Sequence, residues 1–435
     1  MKAVLSNRIY INCQKGSELD KSLCKELTYE ICRQPVSEYP LIIRNTTRVN
    51  DEIITIPSGR LDLIPEDYEL IDRRVDNPVV IPKPTFIPRG NQQECIDYIT
   101  ANGLVNAKPG WGKTIAGLGL AYKFQQKTLI ITTTTIIRDM WIKEVEKFFG
   151  IKCGVIGGGK FDIDAPIVVG NIQTVRNKAQ ELSNEFGLVL SDEVHRCPAK
   201  TFTDTLNASK ARHKIGLSGT LIRKDGLHCV LPDYFGKDLF IGKDENRMKP
   251  TIHLWTSKVE LSSNEFIPWA TIMSKLYSNP KYINQVLKLA DLYVFTGHKV
   301  LALATMTDFL NEMHLRTKDY SLLVTGEIKN REPIFEQIND LNSEARCLWG
   351  TQSIFSEGIS LNALSCVILA APLNNDPLLE QIIARTMRQL EGKMSPVAVD
   401  IGLSGSTGKR QQNARKRFYI NQGWKIKDMG DIDSI

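Results

Sequence analysis

The sequence lacks an apolar run long enough to span a membrane, and none of its nine cysteines is paired with another at the short spacing of a zinc ribbon. Single, scattered cysteines argue against a disulfide framework and predict reduced, mostly buried thiols. The N-terminal stretch MKAVLSNRIYINCQKG has only a very short apolar patch, so it does not resemble a secretory signal. We therefore expect a cytoplasmic protein that does not bind membranes.

Neither sign of charge dominates. The chain has 55 basic and 49 acidic residues, a formal net charge of +6, which is compatible with a polyanionic partner without requiring one. Hydrophobic residues make up 42% of the 435 residues and charged residues 24%, an ordinary globular composition. Such a length predicts about three domains.

The stretch AKPGWGKT follows a short apolar strand and precedes a helix-forming run. Gly110 and Gly112 allow backbone N–H groups to wrap around phosphate oxygens at the start of that helix. Lys113 would reach the β- and γ-phosphates of a triphosphate, and the Thr114 hydroxyl would bind Mg²⁺. The predicted ATP-binding loop comprises Ala107, Lys108, Pro109, Gly110, Trp111, Gly112, Lys113 and Thr114. An ordinary glycine-rich turn before a helix is the alternative.

A possible adenine reader precedes this loop by about fifteen residues at the start of another helix. The Gln92 amide could donate to one adenine atom and accept from another, and Arg89 lies nearby to stack or to contact phosphate. A glutamine at a helix start is common, so this signal is weak alone.

A second half of a nucleotide site follows the buried strand Leu188 to Leu190. Carboxylates at the tip of such a strand suit Mg²⁺ and the attacking water. Asp192 is therefore the predicted Mg²⁺ ligand, and Glu193 the residue that orients and polarises water; His195 completes the sequence DEVH.

Polar residues also end two strands, TLIITTT and PIVVGNIQTV. The carboxyl ends of parallel strands face the ligand crevice, so Thr133, Thr134, Gln173 and Thr174 are candidate contacts for nucleic-acid phosphates. Simple capping of the following helices explains them as well.

The motifs together resemble superfamily 2 DExH-box helicases and translocases, over roughly residues 85 to 425. IGLSGT is similar to the coupling motif of that family, which implies coupling roles for His195, Ser218 and Thr220. SIFSEGIS resembles motif V, and LLEQIIARTMRQ resembles the arginine-finger motif VI. The resemblance is closest to phage branch-migration helicases of the UvsW kind, with an XPB-like continuation after the coupling motif. It implies a nucleotide contact at Gly358 and nucleic-acid contacts at Thr305, Thr325 and Thr351.

The spacing within motif VI supports its assignment independently. Gln381, Arg385 and Arg388 lie at i, i+4 and i+7, which predicts one helix face carrying all three as catalytic residues. Two guanidinium groups there could neutralise the charge that develops as the γ-phosphate leaves. A basic surface helix is the alternative.

The ends of the chain carry further basic residues. Residues 1–80 read as a small α+β module, joined to the rest by a proline-rich connector, and its arginines could contact DNA or simply be solvated; they are Arg44, Arg48, Arg60, Arg73 and Arg74. In the basic C-terminal tail, Phe418, Tyr419 and Trp424 could either stack on a nucleic-acid strand or pack on the second domain.

These observations predict an α/β protein with two RecA-like domains of parallel sheet, residues 81–245 and 246–435, after the N-terminal module. We expect an ATP- and Mg²⁺-dependent DNA helicase or translocase acting on branched or duplex DNA, in the host cytoplasm if the chain is encoded by a phage. An RNA-directed DExH helicase and a nucleotide-gated clamp without turnover are the alternatives. The oligomeric state stays open, and a monomer is compatible with the sequence.

Overall fold

The computed structural model describes residues 1–31, 40–195, 199–219, 221, 226–243, 248–262, 267–356 and 361–435, with the backbone alone at 199–202 and 356. The chain divides into two compact units, Met1–Glu245 and Asn246–Ile435. The first unit contains the N-terminal module and a RecA-like domain, and the second unit contains another RecA-like domain.

The N-terminal module is a mixed sheet with one helix and a separate hairpin. Its five-stranded sheet has the order β5-β6-β2-β1-β7, and β3 pairs with β4. The elements are β1 (Lys2–Leu5), β2 (Arg8–Asn12), α1 (Glu18–Glu26), β3 (Thr28–Ile31), β4 (Leu41–Arg44), β5 (Thr47–Arg48), β6 (Ile53–Pro57) and β7 (Glu69–Asp72).

The first RecA-like domain is built on an eight-stranded sheet of order β11-β10-β12-β9-β13-β14-β8-β15, parallel except for β11. Its elements are α2 (Gln92–Tyr98), β8 (Gly103–Asn106), α3 (Lys113–Phe124), β9 (Thr128–Thr132), α4 (Thr135–Phe149), β10 (Gly154–Gly157), β11 (Lys160–Asp162), β12 (Ile167–Asn171), α5 (Ile172–Asn177), β13 (Leu188–Asp192), α6 (Ala199–Ala208), β14 (His213–Ser218), α7 (Leu231–Phe235) and β15 (Leu239–Ile241).

The second RecA-like domain has a seven-stranded parallel sheet of order β18-β19-β17-β20-β21-β16-β22. Its elements are β16 (Thr251–Glu260), α8 (Trp269–Tyr277), α9 (Pro280–Phe295), β17 (Val300–Ala304), α10 (Thr307–Arg316), β18 (Ser321–Val324), α11 (Glu332–Asn339), β19 (Cys347–Thr351), β20 (Cys366–Leu369), α12 (Asp376–Ala384), β21 (Val397–Ser404), α13 (Gly405–Asn421) and β22 (Lys425–Asp431). The predicted α/β fold class is confirmed.

Local sequence explains where helix α4 begins and ends and why strands β9 and β13 are buried. The Thr134 hydroxyl accepts a hydrogen bond from the Ile137 N–H and caps α4, which ends at Gly150 in the left-handed conformation. Strands β9 and β13 are buried at every residue, as expected for parallel strands covered on both faces. The polar last residues of these two parallel strands therefore lie at the same edge of the sheet.

The N-terminal module is fixed to the first RecA-like domain by a buried polar group that we call the Asp233 cluster: Tyr29, Asn45, Arg60 and Asp233. The fully buried Asp233 carboxylate, in α7, accepts hydrogen bonds from Tyr29 Oη (2.8 Å), Asn45 Nδ2 (2.6 Å) and Arg60 Nη1 (3.2 Å). Lys214 Nζ in β14 also donates to Ser58 Oγ of the module at 2.9 Å. The N-terminal module and the first RecA-like domain thus share a buried interface.

The C-terminal aromatics belong to the core of the second domain. Phe418, Tyr419 and Trp424 are at most 8% exposed, and Tyr419 packs its ring parallel to that of Trp424. Arg415 on the same helix α13 forms a buried ion pair with Asp400 at 2.6 Å. The packing alternative for these aromatics is therefore the observed one. Among the described residues, no helix is both long and apolar enough to cross a membrane.

Candidate nucleotide site and nucleic-acid interface

The phosphate loop connects β8 to α3 with the expected backbone. Gly110 has φ +88° and Gly112 has φ +98°, a region that residues with a Cβ rarely adopt. A Cβ on Gly112 would also lie 2.3 Å from Gln92 Nε2. Both the backbone conformation and the lack of space therefore require glycine at that position. Lys113 Nζ donates to the Ala107 carbonyl at 3.1 Å across the loop. This hydrogen bond joins the two ends of the loop and holds the lysine that is predicted to bind phosphate.

The start of α2 is tied to the phosphate loop. Gln92 Oε1 accepts from the Arg89 N–H at 2.8 Å, and its Nε2 donates to the Trp111 carbonyl at 2.5 Å. Trp111 Nε1 in turn donates to Asn91 Oδ1 at 2.8 Å. Gln92 is also only 2% exposed, so little of its amide is open to a base and its role as an adenine reader stays a prediction. Sequence reasoning missed Asn91, whose position gives no signal.

The acidic residues at the tip of β13 lie at the same sheet edge as the loop. Asp192 is 7% exposed; burial and the neighbouring Glu193 carboxylate raise its pKa. Its Oδ2 accepts from Trp141 Nε1 at 2.8 Å, and its Oδ1 accepts from the Glu193 N–H at 2.9 Å. Glu193 has φ +50°, one of two such residues other than glycine in the described chain. Strain of this kind is concentrated at functional sites.

Strand β14 lies between β13 and β8 and ends at Ser218, a predicted coupling residue. His195 Nδ1 lies 2.7 Å from Ser218 Oγ and 3.3 Å from Glu193 Oε2. Lys113 Nζ lies 3.7 Å from Glu193 Oε1. The structure thus brings together Lys113, Glu193, His195 and Ser218, whereas the predicted coupling residue Thr220 lies outside the described residues.

The donor set at this edge fits a magnesium ion. Mg²⁺ prefers oxygen ligands, and the predicted ligands are the Asp192 carboxylate and the partly exposed Thr114 hydroxyl. An ionised carboxylate offers about four lone-pair sites. The hydrogen bonds from Trp141 Nε1 and the Glu193 N–H occupy one site on each Asp192 oxygen, which leaves acceptor capacity for a cation.

The continuous α-helix predicted to carry Gln381, Arg385 and Arg388 is not observed. Helix α12 ends at Ala384, and Arg385–Met387 form one turn of 3₁₀-helix. Arg388 follows with φ −69° and ψ 137°, where the chain leaves the helical conformation, so the three residues do not lie in one unbroken α-helix. The i, i+4, i+7 argument assumes an unbroken helix, which this chain does not form.

The two arginines also differ in exposure. Arg385 is only 7% exposed and its Nε donates to the Phe355 carbonyl at 2.9 Å. Arg388 is half-buried and its Nη1 donates to Asn362 Oδ1 at 2.9 Å. Their catalytic roles and that of Gln381 stay predictions, with Arg388 the more accessible guanidinium. Gly358 lies outside the described residues.

The nucleic-acid candidates of the first domain follow their strands as expected. The Thr133 hydroxyl is buried and makes no hydrogen bond within the described chain, whereas the Thr134 hydroxyl caps α4. Gln173 is exposed in the first turn of α5, and Thr174 follows it half-buried. Capping thus accounts for Thr134.

The second domain shows a similar division. Thr305 is exposed after β17, and its Oγ1 bonds Tyr277 Oη at 3.3 Å. Thr325 is only 2% exposed, which leaves little of it for a ligand to contact. The Thr351 hydroxyl at the end of β19 is buried and makes no hydrogen bond within the described chain. The nucleic-acid roles of these threonines stay predictions.

Comparisons with known proteins identify the family to which the chain belongs. Residues 85–223 match the family described as type III restriction enzyme, res subunit. The protein described as "Probable helicase D10" of Escherichia phage T5 is 45% identical, with 98% of this chain and 95% of that protein covered. The ATP-dependent DNA helicase uvsW of Enterobacteria phage T4 is 23% identical over 70% of this chain and 64% of that protein.

A solved structure supports the fold alone. An HsdR subunit fragment of a type I restriction enzyme from Vibrio vulnificus YJ016 aligns with a TM-score of 0.58 at 18% identity, covering 80% of this chain and 70% of that one. The decisive likeness is to D10, because it spans nearly the whole of both chains. This chain therefore belongs to the helicase family of D10, within the superfamily 2 helicases related to UvsW.

Proposed function

We propose that this helicase is an ATP-driven DNA motor that acts on branched DNA such as forks and four-way junctions. Its family makes it an ATP-dependent nucleic-acid helicase. One observation supports the motor most strongly: Lys113, Glu193, His195 and Ser218 lie in contact at one sheet edge. A nucleotide-gated clamp would not need a water-polarising carboxylate linked to a coupling residue.

Each role in ATP binding and hydrolysis is assigned to particular residues of this chain. Lys113 binds the β- and γ-phosphates, and Thr114 with Asp192 would hold Mg²⁺, which supplies charge neutralisation when bound. Glu193 orients and polarises the attacking water, and the contact of His195 with Ser218 links the occupied site to the end of β14. We expect Arg388 to stabilise the charge that develops on the phosphate.

The choice of DNA rests on the uvsW relative, whose name states a DNA substrate. The choice of branched DNA rests on the N-terminal module. Because motor domains mainly contact backbone phosphates, discrimination between DNA shapes should come from an attached surface held at a fixed orientation. The buried Asp233 cluster holds the module on the first domain in this way.

The structure narrows the basic residues of the module that can contact phosphate. Arg48, Arg60 and Arg74 form ion pairs with carboxylates inside the first unit, at 2.6 Å to Asp20, 3.2 Å to Asp233 and 2.7 Å to Asp72 respectively. Arg44 and Arg73 are exposed. Among these five arginines, we therefore assign phosphate contact to Arg44 and Arg73.

The test is the ATPase activity of the full chain with single-stranded DNA, duplex, fork, four-way junction and RNA. We expect forks and junctions to stimulate most. Replacing Arg44 and Arg73 by alanine should reduce that preference and lower the slope of log affinity against log salt by about 1–2, since each phosphate contact contributes about 0.9. Lys15→Ala with Lys21→Ala, which removes equal charge from exposed ion pairs of the same module, is the control.

Each outcome separates the alternatives. Greatest stimulation by RNA would replace the DNA assignment with an RNA-directed helicase. Nucleic-acid binding without turnover would favour the clamp. A junction preference that survives the Arg44 and Arg73 substitutions would locate selectivity in the motor domains.

A further inference from the structure

Trp141 is joined to the metal-binding side of the site although it lies in α4, outside the motifs. Its side chain is fully buried, and its Nε1 donates to Asp192 Oδ2 at 2.8 Å across 51 residues of sequence. Ile137, Trp141, Val145 and Phe149 form the buried face of α4, so by spacing alone Trp141 is one of four core residues. Its hydrogen bond to a buried carboxylate distinguishes it from the other three.

The other edge of the indole packs against the helix that follows the phosphate loop. A Cβ on Gly117 in α3 would lie 2.9 Å from Trp141 Cη2 and 3.2 Å from Leu217 Cδ1, so this position of the ring depends on glycine. Gly117 is one helical turn after Lys113. The indole therefore occupies the space between the phosphate-loop helix and the carboxylate at the tip of β13.

Asp192 is held at both oxygens. Trp141 Nε1 contacts Oδ2, and the Glu193 N–H contacts Oδ1 at 2.9 Å. Two donors on different oxygens resist rotation of the carboxylate about its last torsion, so the remaining lone pairs keep fixed directions. Groups that orient a metal ligand in this way contribute to metal affinity, because the ligand need not reorganise on binding.

We propose that Trp141 is a positioning residue for metal binding, which fixes the Asp192 carboxylate in the orientation that receives the ion accompanying ATP. This inference rests on the proposed ATPase function. Trp141 acts through Asp192 and touches neither nucleotide nor water in this role. Its packing on Gly117 makes the orientation of Asp192 depend on the position of the phosphate-loop helix.

The test compares Trp141→Phe with Trp349→Phe. Both tryptophans are fully buried, and each donates one indole hydrogen bond of 2.8 Å, Trp349 to Thr317 Oγ1 in the second domain. The matched substitutions therefore leave similar cavities and remove one hydrogen bond each. Mn²⁺ binding to the full chain with ADP, followed by electron paramagnetic resonance, reports metal affinity without turnover, and ADP binding in EDTA reports the nucleotide site alone.

We expect Trp141→Phe to weaken Mn²⁺ binding at least about tenfold, the usual effect of losing a group that orients a metal ligand. ADP binding in EDTA should stay within about twofold, and Trp349→Phe should change neither quantity. Gly117→Ala, which displaces the indole while retaining its N–H, should also weaken Mn²⁺ binding and provides the test if Trp141→Phe does not fold.

Wild-type Mn²⁺ affinity in Trp141→Phe, or in Gly117→Ala where the first variant does not fold, would overturn the inference and leave Trp141 as a core residue. Equal weakening in Trp349→Phe would also overturn it, because the effect would then follow from general destabilisation. If the wild-type protein itself bound no Mn²⁺ with ADP, the proposed ATPase site would fail instead, so the two failures are distinguishable.

Discussion

Asp233→Ala tests whether the Asp233 cluster holds the N-terminal module on the first RecA-like domain. The substitution removes the acceptor of three donors: Tyr29 Oη at 2.8 Å, Asn45 Nδ2 at 2.6 Å and Arg60 Nη1 at 3.2 Å. The site is fully buried, so water does not readily replace the carboxylate. We expect a large loss of stability in the first unit.

The magnitude follows from the partners that stay behind. Removing one member of a buried ion pair costs about 3–5 kcal/mol when the other is left without compensation. Arg60 keeps Glu26 at 2.8 Å and Asp62 at 3.0 Å, which lowers that contribution. The two neutral donors each add about 1 kcal/mol or more when left without an acceptor. We therefore expect about 3–5 kcal/mol in total.

Urea unfolding combined with segment-resolved hydrogen exchange measures this effect. The control is Asp62→Ala, which removes another partner of Arg60 whose own side chain is 32% exposed, and which should cost about 1 kcal/mol or less. Asp233→Ala should also accelerate exchange in β1 and β2 of the module. Equal, small losses of unfolding free energy in the two variants would refute the assignment of Asp233 as the residue that stabilises this interface.

The remaining predictions concern chemistry and pH. Lys113→Ala should abolish ATP hydrolysis and weaken nucleotide binding, whereas Glu193→Gln should abolish hydrolysis and retain binding; wild-type turnover in the latter would contradict its role. Arg388→Ala should lower kcat roughly 10³-fold with ATP affinity changed only several-fold; loss of DNA affinity alone would make it a nucleic-acid contact. Burial lowers the pKa of Lys214 to about 7, so the unfolded chain binds a proton that the native state does not between pH 7 and 10. Lys214 should therefore add at most about 1.4 kcal/mol per pH unit to the slope of stability against pH there, measured by urea unfolding, and Lys214→Met should lower the slope by that amount; an unchanged slope would contradict it.

The sequence alone determined the order of strand, phosphate loop and helix, and the acidic tip of β13. These signals are local, since Gly110 and Gly112 need a left-handed backbone and a buried strand needs a continuous apolar run. The start of α9 also follows from local sequence, because Asn279 caps a helix whose first residue is Pro280.

The arginine segment shows where local reasoning fails. Periodicity predicts a face only while the helix continues, and the end of α12 at Ala384 has no proline or glycine to announce it. The Arg385 guanidinium instead donates a hydrogen bond to the Phe355 carbonyl, 30 residues earlier in the chain. A contact at that separation is a property of packing and not of spacing.

Only the tertiary structure decided which polar residues meet. Trp141 reads as core until the fold places its N–H on Asp192, and Arg60 reads as a basic surface residue until Asp233 of α7 covers it. The same holds for Phe418, Tyr419 and Trp424, which the sequence left between stacking and packing. The sequence determines a residue's local backbone and its chemistry, but a hydrogen-bond partner distant in the chain is set by how the sheets and helices pack.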